Sequence, residues 1–305
     1  MIDPQPDFQP AVGVAEQLSP GLRRLLAPNA SPMTYRGTNT YLLGESEVAV
    51  IDPGPLDDAH LSAILEAGAG RISHILVTHA HLDHSPLARV LAGRTGAPVY
   101  GFGPATAGRS PLMQELADSG LVGGGEGVDL GFAPDVLLAD GDCVSGADWQ
   151  VTALHTPGHM SGHLAFAWGN VLFSGDLVMG WATSLVSPPD GDLSAFMASL
   201  RRLQSFDWSV FHAGHGAPVT EPAERLKTLL THRQGREAEI LETLRLGADT
   251  PAGLAGKIYT GTPSALLPAA SRNVLAHLIA LTEENLVSPI GPLRSDARFH
   301  LVEEK

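Results

Sequence analysis

Apolar runs of strand length and segments with helical spacing alternate along the first two-thirds of the chain. Two strands are expected within residues 38–53, and others over 73–77, 97–102, 136–138, 149–154, 164–168, 171–173 and 208–211; each is rich in Val, Ile, Leu or aromatic residues and bounded by Gly, Pro or polar clusters. Gly169-Asn170 between two of them predicts a hairpin. Leu61, Ile64 and Leu65 mark an amphipathic helix over 57–68, and helices are also expected over 86–94, 106–119 and 193–204, the last opening at the cap residue Asp192. Residues 1–30 read as an irregular lead-in with a Leu-rich turn over 22–26, and 120–134 as the longest irregular stretch, with Gly123-Gly124-Gly125 as its mobile part.

The pattern changes after Thr220-Glu221-Pro222. Leu226, Leu229, Leu230, Ile240, Leu241 and Leu244 form the stripe of a long helix over 223–246, ended by Gly247; helices over 250–259 and 271–284 and a hairpin over 287–302 follow. The expected division is a large α/β unit over 1–220 and a small, mainly helical unit over 221–305.

Composition narrows the class. The 305 residues are 44% hydrophobic, enough for a sizeable core. The formal charge of −14 is uneven: residues 1–220 hold 22 acids against 9 bases, with no lysine before Lys227, while residues 221–305 hold 11 acids and 10 bases. An acidic body repels polyanions at long range. The first seven residues show neither the basic nor the apolar part of a secretory signal, and no apolar run is expected to span a membrane. The single cysteine, Cys143, has no partner for an internal disulfide and is expected in a buried or loop position without chemistry, so a reducing cytoplasm is the simplest setting.

The candidate chemistry lies at strand ends. Thr78-His79-Ala80-His81-Leu82-Asp83-His84 places three histidines and a carboxylate just past the strand over 73–77. A lone histidine is usually structural; a cluster of imidazoles and a carboxylate on a loop at a strand end is a metal-binding pattern. Downstream, Thr156-Pro157-Gly158-His159, Ser174-Gly175-Asp176 and Ala213-Gly214-His215 each present one more ligand on a Gly-containing turn. Each is weak alone, and their order behind the His cluster makes them strong. His155, His163 and His212 flank these loops and read as supporting residues, with His163 the best placed for a role near the metals.

In these motifs the chain resembles the metallo-β-lactamase superfamily, and in particular the branch that contains lactamase-β-like protein 2 and resembles glyoxalase II in its catalytic domain. Gly37-Thr38-Asn39-Thr40-Tyr41-Leu42-Leu43-Gly44, Val50-Ile51-Asp52-Pro53-Gly54 and the four ligand loops carry the resemblance, together with 179–184, 187–192 and a C-terminal stretch over 259–286 that includes Pro263, Leu266, Ala269-Ala270 and Asn273 to Leu278. Met160-Ser161 departs from the Thr-Pro found in many relatives after the equivalent histidine.

The resemblance implies an α/β fold: a four-layer αββα sandwich with a small C-terminal winged-helix-like domain. It also implies two divalent ions, zinc by default, with iron and manganese left open by ligand type alone. His79, His81 and His159 would hold one ion, Asp83, His84 and His215 the other, with Asp176 between them and Asp52 behind the ligands.

The expected function is metal-dependent hydrolysis of an ester, thioester or related acyl bond in a small molecule. A hydroxide between the ions would attack, with Asp83 orienting it and His163 a candidate proton donor to the leaving group. Trp181, Thr183 and Arg233 are expected to shape the substrate site, Arg233 as a cation toward an anionic substrate. The alternative is a single-stranded RNA endoribonuclease using the same centre, disfavoured by the acidic catalytic unit and its lack of a lysine funnel. The winged-helix-like unit carries Arg272 on an otherwise mostly apolar helix, so it reads as packing and substrate-shaping scaffold rather than a DNA reader.

Overall fold

The computed structural model describes residues 3–124 and 127–302; Gly125, part of the expected mobile stretch, lies outside them. A seven-stranded sheet follows chain order: β1 (Glu16–Ser19), β2 (Leu22–Leu26), β3 (Asn39–Leu43), β4 (Val48–Ile51), β5 (Ile72–Leu76), β6 (Val99–Gly101) and β7 (Val136–Leu137). It is antiparallel from β1 to β4 and parallel from β4 to β7. A second sheet has the order β12 (Val210–Ala213), β11 (Val171–Gly175), β10 (Leu164–Trp168), β9 (Gln150–His155), β8 (Cys143–Ser145), with only β11 and β12 parallel.

Side-chain alternation sorts these strands into layers. Tyr41, Leu43, Ala49, Ile51 and Leu76 face Val151, Ala153, Leu164, Phe166 and Phe173 to form the core between the sheets. Their neighbours Leu42, Val50 and Ile75 point the other way, onto α1 (Asp58–Gly68) and α2 (Leu87–Thr95) through Leu61, Ile64, Leu87 and Leu91. Leu154, Ala165, Leu172 and Phe211 pack on the far side against α4 (Leu193–Leu203) and the start of α5 (Pro222–Leu244). The result is a metallo-β-lactamase-type α/β sandwich, two central sheets flanked by helices.

A separate winged-helix-like region follows, with α6 (Pro251–Ile258), α7 (Leu267–Glu283) and the two-stranded wing β13 (Val287–Pro289) and β14 (Phe299–Leu301). The helix α5 serves both parts. Leu226 and Leu229 pack on the second sheet's outer face, and Ile240 and Leu244 join Leu254, Val274, Leu278 and Phe299 in the C-terminal core.

Besides the unexpected short strands β1 and β8, the structure departs from the sequence expectations at four places. The Leu-rich turn over 22–26 is strand β2: Leu22 and Leu25 point into different cores, and Arg24, opposite Glu16 on β1, is buried by an ion pair with it and by lying 4.7 Å over the Phe8 ring. The helix expected from residue 106 is α3 (Pro111–Asp118), which starts where Ser110 Oγ accepts from the Met113 amide and Pro111 occupies the first turn. Cys143 lies exposed on the edge strand β8. Finally, the helical segment Ser264–Glu283 is, by length and composition, apolar enough to cross a membrane, with mean hydropathy 1.2. Its Val274, Leu275, Leu278, Ile279 and Leu281 are spent in the C-terminal core, which accounts for that hydropathy.

Phe166, fully enclosed between the sheets, reports on that core. Phe166→Ala is expected to lower stability by about 3–5 kcal/mol, read from the urea midpoint in chelator so that metal binding adds nothing. A loss below about 1 kcal/mol would show that the inter-sheet core collapses around the gap.

Candidate metal centre

The strands β4, β5, β9, β11 and β12 end at one edge of the sandwich, and each is followed by a residue of the centre: Asp52, the 79–84 loop, His159, Asp176 and His215. The two sheets are tied together there. The Leu164 amide donates to the Thr78 carbonyl (2.8 Å), the Asn39 amide to the Gly214 carbonyl (2.7 Å), and Asn39 Nδ2 to the carbonyls of Ala213 (3.0 Å) and Gly216 (2.9 Å). Glycine is needed where these loops crowd. A Cβ on Gly214 would lie 2.3 Å from Asp176 Oδ1, and Gly175 has φ +49 and no room beside the His163 ring.

The side chains form two adjoining groups, His79, His81 and His159, and Asp83, His84, Asp176 and His215, all of them buried. In the first, His81 Nδ1 lies 3.0 Å from both His79 Nε2 and His159 Nε2. In the second, His215 Nε2 is 3.1 Å from Asp83 Oδ2, 3.3 Å from Asp176 Oδ2 and 3.3 Å from His84 Nε2. Asp176 Oδ2 also lies 3.7 Å from His159 Nε2, between the groups.

The outer ring nitrogens are committed to the protein. His84 Nδ1 donates to Asp52 Oδ2 (2.9 Å), His159 Nδ1 to the Leu185 carbonyl (2.7 Å) and His215 Nδ1 to the Gly37 carbonyl (3.1 Å). His79 Nδ1 is 2.9 Å from Thr78 Oγ1, whose own proton goes to Asp52 Oδ2 (2.8 Å), so His79 is the donor. The inward nitrogens of these four rings, when neutral, therefore present lone pairs to one another. The buried atoms Asp83 Oδ1 and Asp176 Oδ1 have no hydrogen-bond partner among the described residues.

Converging lone pairs and orphaned carboxylate oxygens are costly without a cation. At metal–nitrogen bonds of about 2.0–2.1 Å, tetrahedral ligand atoms lie about 3.3–3.4 Å apart, close to the spacings found. The residues fit two divalent ions, and the oriented histidines match the usual support of metal ligands.

Protonation follows the same division. Burial and neighbouring imidazoles hold His79 well below the ordinary histidine value and bring His81 down to about 3; burial also lowers His159. Burial opposes charge on His84 and His215 too, but nearby carboxylates outweigh it: Asp83, Asp176 and Asp52 hold His84 well above the ordinary value, and Asp176 and Asp83 lift His215 to about 10. In the metal-free protein the first group is thus neutral and ready to ligate, while the second holds protons that a cation must displace.

A cavity of ≈ 250 Å³ opens onto the centre. His81, Asp83, His159, Asp176 and His215 line its floor, and Trp181 and Thr183 its wall. Arg233 does not line it. The guanidinium is enclosed, bonded to the Ser184 carbonyl and to Asn273 Oδ1 (3.2 Å), with its carbon 5.0 Å over the Phe196 ring. His163 is also outside the lining, and both its ring nitrogens are engaged: Nδ1 with Thr156 Oγ1 (2.9 Å), and Nε2 as acceptor from the Asp176 amide (3.2 Å). Its place is to hold the Asp176 loop, and it has no free proton for a leaving group.

Sequence reasoning did not place Thr78, Met33, Tyr259 or Asn273 at the site. Thr78 joins His79 to Asp52, and the other three line the cavity. For Asn273 the available signal was an amide at helical spacing from Ala269 and Ala270 in an apolar segment.

A family model described as the Metallo-beta-lactamase superfamily matches residues 33–215, and one described as Beta-lactamase associated winged helix domain matches residues 250–292. The chain is 32% identical to Beta-lactamase-like protein 2 homolog of Drosophila melanogaster over 88% of this chain and 90% of that protein. It is 32% identical to Atrochrysone carboxyl ACP thioesterase of Aspergillus terreus over 80% of this chain and 69% of that protein. A solved metallo-beta-lactamase family protein from Thermus thermophilus superposes with a TM-score of 0.75 at 28% identity, covering 94% of this chain and all of that one. The chain belongs to the metallo-β-lactamase superfamily, in the branch that carries a winged-helix domain, and its fold and ligand groups make it a metal-dependent hydrolase.

Two outcomes are expected of the centre. Asp52→Ala removes the acceptor for His84 Nδ1–H and Thr78, so affinity for the second ion should fall about 10–100-fold. Competition titration with a chromogenic chelator reads this, and an unchanged affinity would refute the role of Asp52. Acidification should also separate the sites. Binding at the second group releases protons from His84 and His215, so its affinity falls as pH drops, whereas burial keeps the imidazoles of the first group neutral below the ordinary histidine range. Dialysis from about pH 8 to about pH 5 should remove one equivalent before the other; simultaneous loss of both would contradict the assignment.

Proposed function

We propose that this superfamily member is a dizinc hydrolase of acyl bonds in small molecules, acting on thioesters in preference to oxygen esters, in the cytoplasm. The lining of the cavity carries the reading. Besides the metal ligands it consists of Pro32, Met33, Met179, Trp181, Ala182, Leu185, Tyr259, Leu266, Ala269, Ala270, two threonines and one asparagine, with no Lys or Arg. Such a wall suits an uncharged acyl group. A phosphodiester chain needs cations along its path, and the strongly acidic catalytic unit supplies none there. The name of the Aspergillus terreus relative, a thioesterase, supports the same class.

Two bound divalent ions supply Lewis acidity and a water-derived nucleophile at neutral pH. The protein's residues do the positioning. Asp83, whose Oδ1 has no hydrogen-bond partner among the described residues, would help to hold the second ion and orient the attacking water. Asp52 fixes His84 directly and His79 through Thr78. The apolar wall excludes bulk water. With His163 tied on both nitrogens, no histidine other than the ligands reaches the leaving group. A thiolate, the conjugate base of an acid of pKa about 8.5, departs without such help more readily than an alkoxide, which favours thioesters.

Zinc-loaded protein should hydrolyse acyl thioesters, with oxygen esters of the same acyl group at least about tenfold slower and single-stranded RNA uncut. His84→Ala should keep the first ion and lose about 10²-fold or more in turnover. RNA cleavage that disappears in His79→Ala would overturn the acyl reading, and full activity with full metal content in His84→Ala would overturn the two-ion centre.

A further inference from the structure

Asn273 is a half-buried amide on α7 at the edge of the cavity. Its oxygen is doubly used: the Val186 amide donates to Oδ1 at 3.0 Å and Arg233 Nη1 at 3.2 Å. Since both partners are donors, the atom between them is the oxygen, and the NH₂ group points elsewhere. Nδ2 has no hydrogen-bond partner among the described residues.

The surroundings say what the free donor faces. Leu266, Ala269, Ala270 and Asn273 line the cavity at i, i+3, i+4 and i+7, one helical stripe of three apolar residues and an amide. The amide end lies toward the metal ligands. Val186, which holds Oδ1, directly follows Leu185, whose carbonyl accepts from His159 Nδ1. An acyl group lying along the stripe therefore has apolar contacts over its length and one N–H donor near its reacting end.

The device behind Asn273 is costly, which argues for a purpose beyond packing. A buried guanidinium needs partners. Arg233 on α5 finds them in the Ser184 carbonyl, in Asn273 Oδ1 and in the face of Phe196, while its Nε goes unpartnered. Its planar fork spans the 184–186 loop and the asparagine at once, a geometry lysine cannot reproduce.

We propose that Asn273 is a specificity-determining residue whose Nδ2–H donates to an oxygen on the substrate's acyl group beside the scissile carbonyl, and that Arg233 is its positioning residue. This rests on the acyl-hydrolase reading and adds to it the class of acyl group preferred, one bearing an oxygen acceptor close to the reacting carbonyl.

The test compares two thioesters that differ only in that oxygen, the acetoacetyl and butyryl thioesters of N-acetylcysteamine, with zinc-loaded wild-type protein, Asn273→Asp and Arg233→Lys. Aspartate keeps an acceptor for Val186 and Arg233 but has no donor, so it separates donation from structure. Wild-type protein is expected to favour the acetoacetyl ester about tenfold in kcat/KM. Asn273→Asp should abolish the preference, mainly through KM, with metal content unchanged. Arg233→Lys should reduce it. Should Asn273→Asp lose metal or fold, Asn273→Ser, too short to span between Val186 and the substrate, reads the same ratio. Equal rates in the wild type, or an undiminished preference in the asparagine variants, overturn the donor role while leaving the hydrolase reading intact. Failure of wild-type protein to cleave either thioester overturns the acyl-hydrolase reading itself.

Discussion

One buried carboxylate holds the centre together. Asp52 accepts the Thr78 amide at 2.7 Å on one oxygen, and Thr78 Oγ1 at 2.8 Å and His84 Nδ1 at 2.9 Å on the other. Through Thr78 it fixes His79 as well, so a single side chain orients one ligand in each ion group. The backbone bends to put it there. Asp52 has φ +50, a conformation that costs a non-glycine residue about 1–3 kcal/mol. The cost is offset locally: the Asp52 amide donates to the Leu76 carbonyl at 2.9 Å, and Thr40 Oγ1 donates to the Asp52 carbonyl at 2.7 Å. Thr40 in turn lies 2.9 Å from His60 Nε2, on a ring that burial keeps neutral down to about 4. Strain at the site is thus held by hydrogen bonds reaching back through β3 into α1.

That arrangement works because the strands end together. Parallel neighbours β4 and β5 deliver Asp52 and the His loop side by side, and parallel neighbours β11 and β12 deliver Asp176 and His215. Sheet packing brings the two pairs face to face, and Asn39, at the start of β3, clamps the loop that carries His215 through the Ala213 and Gly216 carbonyls. The ligands come from four loops far apart in sequence, yet each loop is short and anchored at a strand end. Side chains so anchored lose little further freedom on binding an ion, which is what preorganisation of a metal site requires.

The ligand groups were legible because imidazoles and carboxylates at consecutive strand ends have few other uses, and the layered fold was legible because Leu42, Val50 and Ile75 alternate with Tyr41, Ile51 and Leu76. What was hidden depended on tertiary partners. Leu22-Arg23-Arg24-Leu25-Leu26 shows no clean alternation, since Arg24 is buried only by virtue of Glu16 and Phe8. The strand β8 is three residues long, too short for a periodic signal. Direction was hidden too. Arg233 sits at the expected position on the expected helix, but its charge turns inward to Ser184 and Asn273, and His163 sits beside the centre with both nitrogens facing the protein.

These inward-turned groups explain how a shared metal chemistry can be made selective. Two ions and a water-derived nucleophile serve carbon and phosphorus electrophiles alike, so discrimination must come from the walls. Here the catalytic unit contributes Met33, Met179, Trp181 and Leu185, and the winged-helix-like unit adds Leu266, Ala269, Ala270 and Asn273 from the opposite side. The helix α7 that in other settings could read nucleic acid is instead packed on both flanks, its Val274 and Leu278 in the C-terminal core and its Ala276 and Ala280 against the catalytic unit. The face of α7 that carries Ala269, Ala270 and Asn273 closes the cavity over the metal centre. The second unit therefore helps to wall the cavity over the metal centre, and the buried Arg233 turns its charge to Asn273 and Ser184 rather than into that cavity.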